Sequence, residues 1–281
     1  MPQIINTNLQ SLNAQRNTST SQSSLAISMQ RLSSGLRVNS AKDDAAGLGI
    51  AERMNAQIRG SNVAIRNAND GISLAQTADG ALAKVTDSLQ RMRELAVQAR
   101  NATNTSADKD SLNKEFGELA KEIQRVLGGT TFNGKHILGA DAKTQTFQVG
   151  ANTTGDDTIS VGMKNMKTAT DITAVTSGVS IDGTIGFSAI GSVIDNLDTA
   201  LDTVNNQRAI LGATQNRFDA VISNLQVAVE NQSAARSRIT DADFASETAN
   251  LSRAQILQQA GSAMIAQANQ LPQQVLSLLR S

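Results

Sequence analysis

Residues 190–229 read IGSVIDNLDTALDTVNNQRAILGATQNRFDAVISNLQVAV and contain a long apolar repeat. Spacings of four and three residues alternate without interruption, which places one stripe along an α-helix. At 1.5 Å per residue, these 40 residues predict a helix of roughly 60 Å, far longer than a typical globular helix. Such a helix needs long partners to cover the stripe, which consists of Ile190, Ile194, Leu197, Leu201, Val204, Arg208, Leu211, Gln215, Phe218, Ile222, Leu225 and Val229.

Two segments upstream carry similar stripes and are the predicted partners. The first contains Ile58, Ile65, Ile72, Leu82 and Leu89, and the second contains Leu112, Phe116, Leu119, Ile123 and Val126. In the first segment Asp70-Gly71 and Asp79-Gly80 resemble hairpin turns, and each glycine costs a helix about 1 kcal/mol. Because the stripe continues through both pairs, we expect one unbroken helix.

The composition changes between about Gly128 and Ser188, where glycine, threonine, asparagine and aspartate become frequent. Short β-type pieces recur there: TTFNG at 130–134, TFQVGA at 146–151 and DTISVGM at 157–163. This pattern predicts strands or hairpins. The expected order is therefore helices, a short β-rich middle, and helices that return alongside the first set.

The two ends of the chain have the same unusual composition. No aspartate, glutamate or lysine occurs before Lys42, and no acidic residue follows Glu247. Apolar residues at both ends recur at helical spacing. The likeness predicts that the ends form one structural unit although they are distant in sequence.

The composition argues against several classes of function. Lysine plus arginine and aspartate plus glutamate each number 25, and aromatic residues make up 2%. A nucleic-acid binder needs a basic surface and often aromatic stacking, so we expect no nucleic-acid partner. The absence of cysteine removes disulfides and thiolate zinc sites. No run approaches the roughly 20 apolar residues of a membrane span, and residues 1–10 lack the pattern of a cleaved secretory signal.

The polar candidates for a catalytic or metal site have simpler interpretations. His136, the single histidine, stands in a context typical of a surface or turn residue. Asp43 and Asp44 would point about 100° apart on a helix, so we interpret them as a helix start with Ser40 as its cap. The acidic residues of ITDADFASE at 239–247 likewise resemble cap and first-turn acids. We predict no enzyme activity, no metal and no cofactor.

Four stretches resemble bacterial flagellin, the filament subunit of the flagellum. They are INTNLQSLNAQR at 5–16, LSSGLRVNSAKDDAAGLGIAERM at 32–54, LQRMRELAVQA at 89–99 and RSRITDADFASETANLSRAQILQQAGSAMIAQANQLPQQVLSLLR at 236–280. The likeness covers nearly the whole chain and is weak around 165–188. It implies a structural subunit that polymerises into the filament used for motility.

The resemblance also implies a fold and a domain organisation. The fold would be mainly α, with long antiparallel coiled-coil helices, paired N- and C-termini and a small β-rich hairpin region. Residues 1–40 with 246–281 would form a terminal coiled coil that lines the inner tube of the filament. Residues 41–140 with 186–245 would form a helical core, and 141–185 a short variable segment without large outer domains.

The apolar stripes of the terminal helices are the predicted assembly surface. Burial within one pair of helices gains too little to offset the entropy of ordering them, so we expect neighbouring subunits to stabilise them. The predicted seam residues are Ile5, Leu9, Leu12, Leu25, Met29, Leu32, Leu36, Leu257, Met264, Leu271, Val275 and Leu278. The small residues of 32–44 would form a hinge-like connector between the layers.

Partners and localisation follow from the resemblance alone. The chain would polymerise with itself, meet a cytoplasmic export chaperone through its C-terminal helix, and contact filament cap and junction proteins. It would leave the cell through the export channel of the flagellum without a cleaved signal. The expected localisation is therefore extracellular, in the bacterial flagellum.

The resemblance further implies recognition by innate immune receptors of animal hosts. The contact with a Toll-like receptor would fall on Arg91, Leu95 and Glu115. As an alternative, Arg91 pairs with Asp87 one helical turn away, and Leu95 packs between neighbouring subunits. The stretch recognised by cytosolic sensors would correspond to Val275, Leu276, Leu278, Leu279 and Arg280.

Two other functions compete with that of a filament subunit. A flagellar hook-filament junction protein shares flagellin-like ends, but the match of DADFASETANLSRAQILQQA at 241–260 favours flagellin. An enzyme within the β-rich middle is disfavoured because that segment holds no recognisable catalytic constellation.

Overall fold

A computed structural model describes residues 7–278, with side chains described as far as residue 270. Helices dominate this part of the chain, and the strands form two antiparallel two-stranded sheets. In chain order the elements are α1 (Leu9–Ser34), α2 (Ala45–Ala99), α3 (Ser106–Gly129), β1 (Thr131–Phe132), β2 (Lys135–His136), β3 (Gln145–Gln148), β4 (Thr158–Val161), α4 (Thr170–Thr176), α5 (Phe187–Thr240) and α6 (Phe244–Leu278). The predicted mainly α fold with a small β-rich middle is confirmed.

The described residues divide into two compact units. The terminal unit combines the residues up to Ala56 with those from Asn231 onward, and the central unit is Gln57–Glu230. Helices α2 and α5 contribute residues to both units. The three-part domain division that the resemblance implied stays a prediction.

The stripe of residues 190–229 lies on α5, as predicted, and its apolar members as far as Ile222 contribute to the core of the central unit. Leu197, Leu211 and Phe218 are completely buried in that core. Arg208 interrupts the apolar stripe, and its side chain has a polar partner on α2. The Arg208 Nε donates to Asp79 Oδ1 at 2.8 Å. The stripe thus provides apolar packing and one polar contact that fixes its register.

Helix α2 runs unbroken through both turn-like pairs, as predicted. At Gly71 the ring of Phe218 lies against the helix, and a Cβ atom there would stand 2.6 Å from the ring Cζ. The same ring meets Phe147 of β3 edge to face, with centroids 5.6 Å apart. Gly71 is therefore required by the close approach of an aromatic ring, not by a turn.

Helices α2 and α5 lie antiparallel in the central unit. Arg93 near the end of α2 contacts Asp198 near the start of α5, with Nε and Oδ1 2.6 Å apart. Arg208 contacts Asp79, which lies earlier on α2. Residue numbers that rise on one helix fall on the other, so the helices run in opposite directions.

Helix α3 packs on this pair and begins with a capping box. The Thr105 Oγ1 accepts from the Asp108 N–H at 3.3 Å, and the Asp108 carboxylate accepts from the Thr105 N–H at 2.9 Å. Hydrogen bonds from the Thr105 hydroxyl and backbone hold the pKa of Asp108 below its usual value. The helix buries Phe116, Ile123 and Leu127 in the core.

The middle of the chain contains the predicted hairpins and one element that was not predicted. Strands β1 and β2 pair around a turn in which Asn133 and Gly134 have positive φ, and β3 pairs with β4. The short helix α4 was missed because seven residues are too few for a helical stripe to appear in the sequence. It forms because Ile172 and Val175 are buried in the core.

The two interior glycines of α2 provide a matched test of this packing. At Gly80 nothing beyond the adjacent residues and backbone of α2 lies within 4 Å of the place that an added methyl group would take, so Gly80→Ala should stabilise the chain by up to about 1 kcal/mol through helix propensity. Gly71→Ala should be less stable than Gly80→Ala by about 1–3 kcal/mol, the usual cost of overpacking a core. Urea unfolding followed by circular dichroism measures both. Equal stability of the two variants would contradict the close packing of Phe218.

Candidate assembly surface

Helices α1 and α6 pair antiparallel and form the longest contact of the terminal unit. Near the start of α1, the Asn8 Nδ2 donates to the Ala268 carbonyl at 2.7 Å, and the Ser11 hydroxyl donates to Asn269 Oδ1 at 2.8 Å. Near its end, the Ser28 hydroxyl donates to Glu247 at 3.0 Å. The predicted pairing of the two ends of the chain is confirmed.

Small side chains form most of the seam between α1 and α6. The inward positions follow the alternating spacing of three and four residues that is typical of coiled coils. They are Ser11, Ala14, Thr18, Ser21, Leu25, Ser28 and Leu32 on α1, and Glu247, Leu251, Ala254, Gln258, Gly261, Ile265 and Ala268 on α6, all buried or half-buried. At Gly261 a methyl group would collide with the Thr18 hydroxyl, so the two backbones approach closely there.

The predicted assembly residues divide between the contact of α1 with α6 and the exposed faces of the two helices. Leu25, Leu32 and Leu36 are half-buried in the terminal unit. The remaining predicted residues with described side chains lie outside the seam and are exposed. They are Leu9, Leu12, Met29, Leu257 and Met264. Ile5, Leu271, Val275 and Leu278 lie outside the residues whose side chains the structure describes. An apolar stripe is recognised in a sequence by its large side chains, whereas the close contact between α1 and α6 requires small ones.

We define the outward apolar set as the leucine, isoleucine and methionine residues whose side chains α1 and α6 expose. They are 46% to 66% exposed. Most large apolar residues of the central unit are buried, although Val97 and Phe187 there are also exposed. The set consists of Leu9, Leu12, Ile27, Met29, Ile256, Leu257 and Met264. Covering one such side chain completely contributes about 1.5–3 kcal/mol. Concentrated exposure of this kind marks an interaction surface.

The terminal unit has a sparse core of its own. Its buried hydrophobic residues, among those the structure describes, are Val38, Ala51, Ala254 and Ala268. Alanine offers little apolar area to bury. The fully buried part of this unit therefore contains little large apolar side-chain area.

Open grooves flank the seam and are lined by members of the outward apolar set. One groove of about 510 Å³ has amide side chains of α1 on one wall, including Asn13 and Asn17, and Leu257 and Met264 of α6 on the other. Such a groove presents both apolar contact area and hydrogen-bonding groups. Side chains of another protein fit this chemistry better than a charged small molecule does.

A buried carboxylate fixes the register of the pair. Glu247 is 7% exposed, and its Oε1 lies 3.0 Å from Arg31 Nη1. Its second oxygen accepts from the Ser28 hydroxyl. Glu247 lies in the first turn of α6, as predicted, and it also holds α1. Among the described residues no cluster of acidic or histidine side chains could hold a metal ion.

The connector between α1 and α2 pairs with the turn before α6. Gly35 ends α1 with φ of 71°, and its N–H donates to the Arg31 carbonyl at 2.8 Å. Arg37 N–H donates to the Thr240 carbonyl at 2.7 Å, and Ala242 N–H donates to the Gly35 carbonyl at 2.9 Å. Positive φ favours glycine, so this position suits the sharp exit of the chain from α1.

Aspartate side chains close both turns, and the cap of α2 differs from the prediction. Asp44, not Ser40, accepts from the Gly47 N–H, at 2.7 Å. Asp43 instead accepts hydrogen bonds from the Ser40 backbone, the Ser40 hydroxyl and the backbone of Asn39, which together lower its pKa. A helix that begins after both aspartates leaves Ser40 too far away to cap it.

In the turn before α6, aspartate side chains again accept hydrogen bonds from nearby residues. The hydroxyl of Ser237, and then that of Thr240, donates to Asp241 and lowers the pKa of its carboxyl group. Asp243 Oδ1 accepts from the Ala245 N–H at 3.0 Å at the start of α6. These contacts confirm that the two aspartates are turn and cap residues.

The predicted receptor residues occupy two different environments in the central unit. Arg91 pairs with Glu115 of α3 at 2.8 Å and with Glu94 at 2.9 Å, and it does not pair with Asp87. The hydrogen bonds that Arg91 donates to these carboxylates, that to Glu115 first, raise the pKa of Arg91. Asp87 contacts Lys84 instead. Arg91 and Glu115 are brought together on the surface by a contact between helices that helical spacing alone does not reveal.

Leu95 does not share that surface. Its side chain is 0% exposed and belongs to the core of the central unit. A direct contact of this side chain with a receptor, or with a neighbouring subunit, is not available in this fold.

Two family models match the chain. The bacterial flagellin N-terminal helical region matches residues 5–143, and the bacterial flagellin C-terminal helical region matches residues 194–279. The chain is 47% identical over 277 residues to a flagellin of Halalkalibacterium halodurans, covering 99% of this chain and 100% of that protein. It is 41% identical over 305 residues to a flagellin of Bacillus subtilis, covering 98% and 99% of the two chains.

A solved structure shows a related fold. A flagellar hook-associated protein of Vibrio parahaemolyticus superposes with a TM-score of 0.54 at 15% identity, covering 71% of this chain and 100% of that one. At this identity the likeness concerns the fold alone. In addition, none of the helices that the structure describes is long and apolar enough to cross a lipid bilayer.

The register contact predicts the effect of removing Glu247. Glu247→Ala deprives Arg31 and Ser28 of their shared acceptor, so pairing of α1 with α6 should weaken by about 1–3 kcal/mol. We expect faster amide hydrogen exchange in both helices of the free subunit. Glu52→Ala, at an exposed position of the same unit, is the control and should leave exchange unchanged. Unaltered exchange in Glu247→Ala would remove the carboxylate from this role.

Proposed function

The chain belongs to the bacterial flagellin family, and from that premise we propose that the outward apolar set joins neighbouring subunits of the filament. The protein is a structural subunit of the bacterial flagellar filament that polymerises with itself, and it is not an enzyme. One observation carries the proposal: the pairing of α1 with α6 uses mostly small side chains and leaves the seven residues of the outward apolar set exposed.

The energetics favour this use of the exposed residues. Complete burial of the outward apolar set would contribute on the order of 10 kcal/mol per subunit, before the entropy of association is subtracted. A filament surrounds each subunit with identical neighbours, so the set of every subunit can be buried by the subunits around it. The same residues would make an isolated subunit prone to association.

The relatives distinguish this function from that of a hook-filament junction protein. The flagellins match over their full length at 41% and 47% identity. The hook-associated structure shares the fold at 15% identity, which carries no information on function. The sequence relatives thus support the filament subunit.

Further proposals concern the place of each part and the route of export. Residues 1–40 with 246–281 line the inner tube, 41–140 with 186–245 form the surrounding helical core, and 141–185 form a short β-rich segment. The subunit is exported without a cleaved signal and meets filament cap and junction proteins outside the cell. Support comes from the exposed apolar residues of α6, which an export chaperone would cover before assembly.

We also propose a role as a ligand of innate immune receptors, carried by the exposed pair Arg91 and Glu115. Their side chains are 50% and 46% exposed, and Nε and Oε1 lie 2.8 Å apart. A preformed charged pair offers a receptor both a donor and an acceptor without loss of side-chain freedom on binding. The buried Leu95 would support the shape of this surface from within. The proposed contact with cytosolic sensors, through Val275 to Arg280, lies outside the residues whose side chains the structure describes.

A charge within the outward apolar set should stop polymerisation. Leu257→Asp places a carboxylate where a neighbouring subunit would bury it without a partner, which is strongly unfavourable. We expect no filaments under electron microscopy after ammonium sulfate is added, while the helical circular dichroism of the subunit stays near that of the unchanged chain.

The control for this variant is Leu257→Met, which keeps an apolar side chain of similar volume. It should form filaments of ordinary length. Normal filaments from Leu257→Asp would show that assembly does not use this surface.

Removal of Arg91 should separate receptor recognition from assembly. We expect Arg91→Ala to lower the potency of the free subunit in a Toll-like receptor reporter assay by about tenfold, a usual loss for an interface arginine. Filament formation should be retained. Arg125→Ala removes another exposed arginine that pairs on α3 and should leave potency unchanged. Equal potency of the Arg91 variant and the unchanged subunit would exclude this residue from the contact.

A further inference from the structure

Methionine side chains differ widely in exposure, and Met54 of the terminal unit is half-buried. Met29 on α1 and Met264 on α6 are 57% and 62% exposed. In the central unit Met92 and Met166 are 0% exposed and Met163 is 5% exposed. A thioether reacts with an oxidant only where the oxidant reaches the sulfur, so exposure separates reactive methionines from protected ones.

The surroundings of the exposed methionines connect them with the pairing of α1 and α6. Met264 lines the groove beside the seam, together with Leu257 and Gly261. Met29 follows Ser28, whose hydroxyl donates to the buried Glu247. Both methionines belong to the outward apolar set, and each flanks a seam position.

We propose that Met29 and Met264 are oxidation sites of the free subunit, and that a peroxide-class oxidant acting on them prevents assembly. The inference rests on the proposed role of the outward apolar set. It adds a chemical modification to that surface: the same two thioethers would be accessible before polymerisation and covered after it.

The chemistry is a two-electron oxidation of each sulfur. Hydrogen peroxide transfers one oxygen atom to the thioether, giving a sulfoxide and water, so sulfur is oxidised and peroxide is reduced. A methionine sulfoxide reductase supplied with a dithiol reverses the step, giving the thioether, a disulfide and water. No other bond of the chain is altered.

The sulfoxide is polar, whereas the thioether is apolar, and the proposed assembly contact depends on apolar side chains. A sulfoxide carries a polar oxygen that needs a hydrogen-bond donor, and covering it with apolar side chains is unfavourable. Oxidised subunits should therefore fail to join a filament end. Subunits already within a filament should keep both thioethers, because their neighbours exclude the oxidant.

The first experiment maps oxidation by peptide mass spectrometry on the full chain, before and after polymerisation. With dilute hydrogen peroxide, Met29 and Met264 of the free subunit should be oxidised at least about tenfold faster than Met92 and Met166, and filaments should protect them. Oxidation of the buried pair at the same rate, or equal oxidation of Met29 and Met264 in filaments, would overturn the proposal.

The second experiment measures the critical concentration for polymerisation after oxidation. It should rise about tenfold or more and return to its starting value after treatment with reductase and dithiol. The double variant Met29→Leu, Met264→Leu keeps the side-chain volume and should polymerise whether or not it is treated with peroxide. Sensitivity of this variant equal to that of the unchanged chain would refute the assignment to these two sites.

Together with the Leu257→Asp variant, the two experiments also separate this inference from the proposed function. If Leu257→Asp polymerised normally, the assembly role of the surface would fail, although mapping would still decide the oxidation sites. If Leu257→Asp failed to polymerise while oxidised subunits polymerised normally, the assembly role would stand and the oxidation proposal would fall.

Discussion

The close approach of α1 and α6 through small side chains is the constraint on which the terminal unit depends. Serine, alanine, glycine and threonine allow the two backbones to come together, and Gly261 against Thr18 marks a point where a methyl group does not fit. Because small residues occupy most of the seam, many of the large apolar residues of both helices, among them Leu12, Leu257 and Met264, lie outside it and are exposed. The pairing of the chain ends and the surface for neighbouring subunits are two results of one arrangement.

The central unit solves the packing problem in the opposite way. Large residues such as Leu89, Phe116 and Phe218 fill its core completely, and polar pairs such as Arg208 with Asp79 fix its register. This unit has the apolar burial of an ordinary domain, whereas the terminal unit has a sparse core of valine and alanine. The central unit can be stable in a free subunit, whereas the terminal unit gains apolar contacts when neighbouring subunits cover it. This combination suits a subunit that exists alone before it polymerises.

The sequence predicted those parts of the fold in which large apolar residues are buried. The stripe on α5 was evident because most of its members are large and many are buried, and the stripe on α2 correctly outweighed the turn-like Asp70-Gly71. The small members of the seam between α1 and α6 were not identified because they carry little apolar signal, although the repeat from Ser11 through Thr18 and Leu25 to Leu32 was present in the chain. The partner of Arg91 was missed because Glu115 lies on another helix, and helical spacing reports only local neighbours.

The most direct test of the account is the structure of the assembled filament by electron cryomicroscopy at a resolution that shows side chains. We expect Leu9, Leu12, Ile256 and Leu257 to contact neighbouring subunits, while Ser11, Ala254 and Ala268 remain between the two helices of one chain. A filament in which the leucines turn inward and pack against their own chain, so that the small residues face the neighbours, would contradict the central claim.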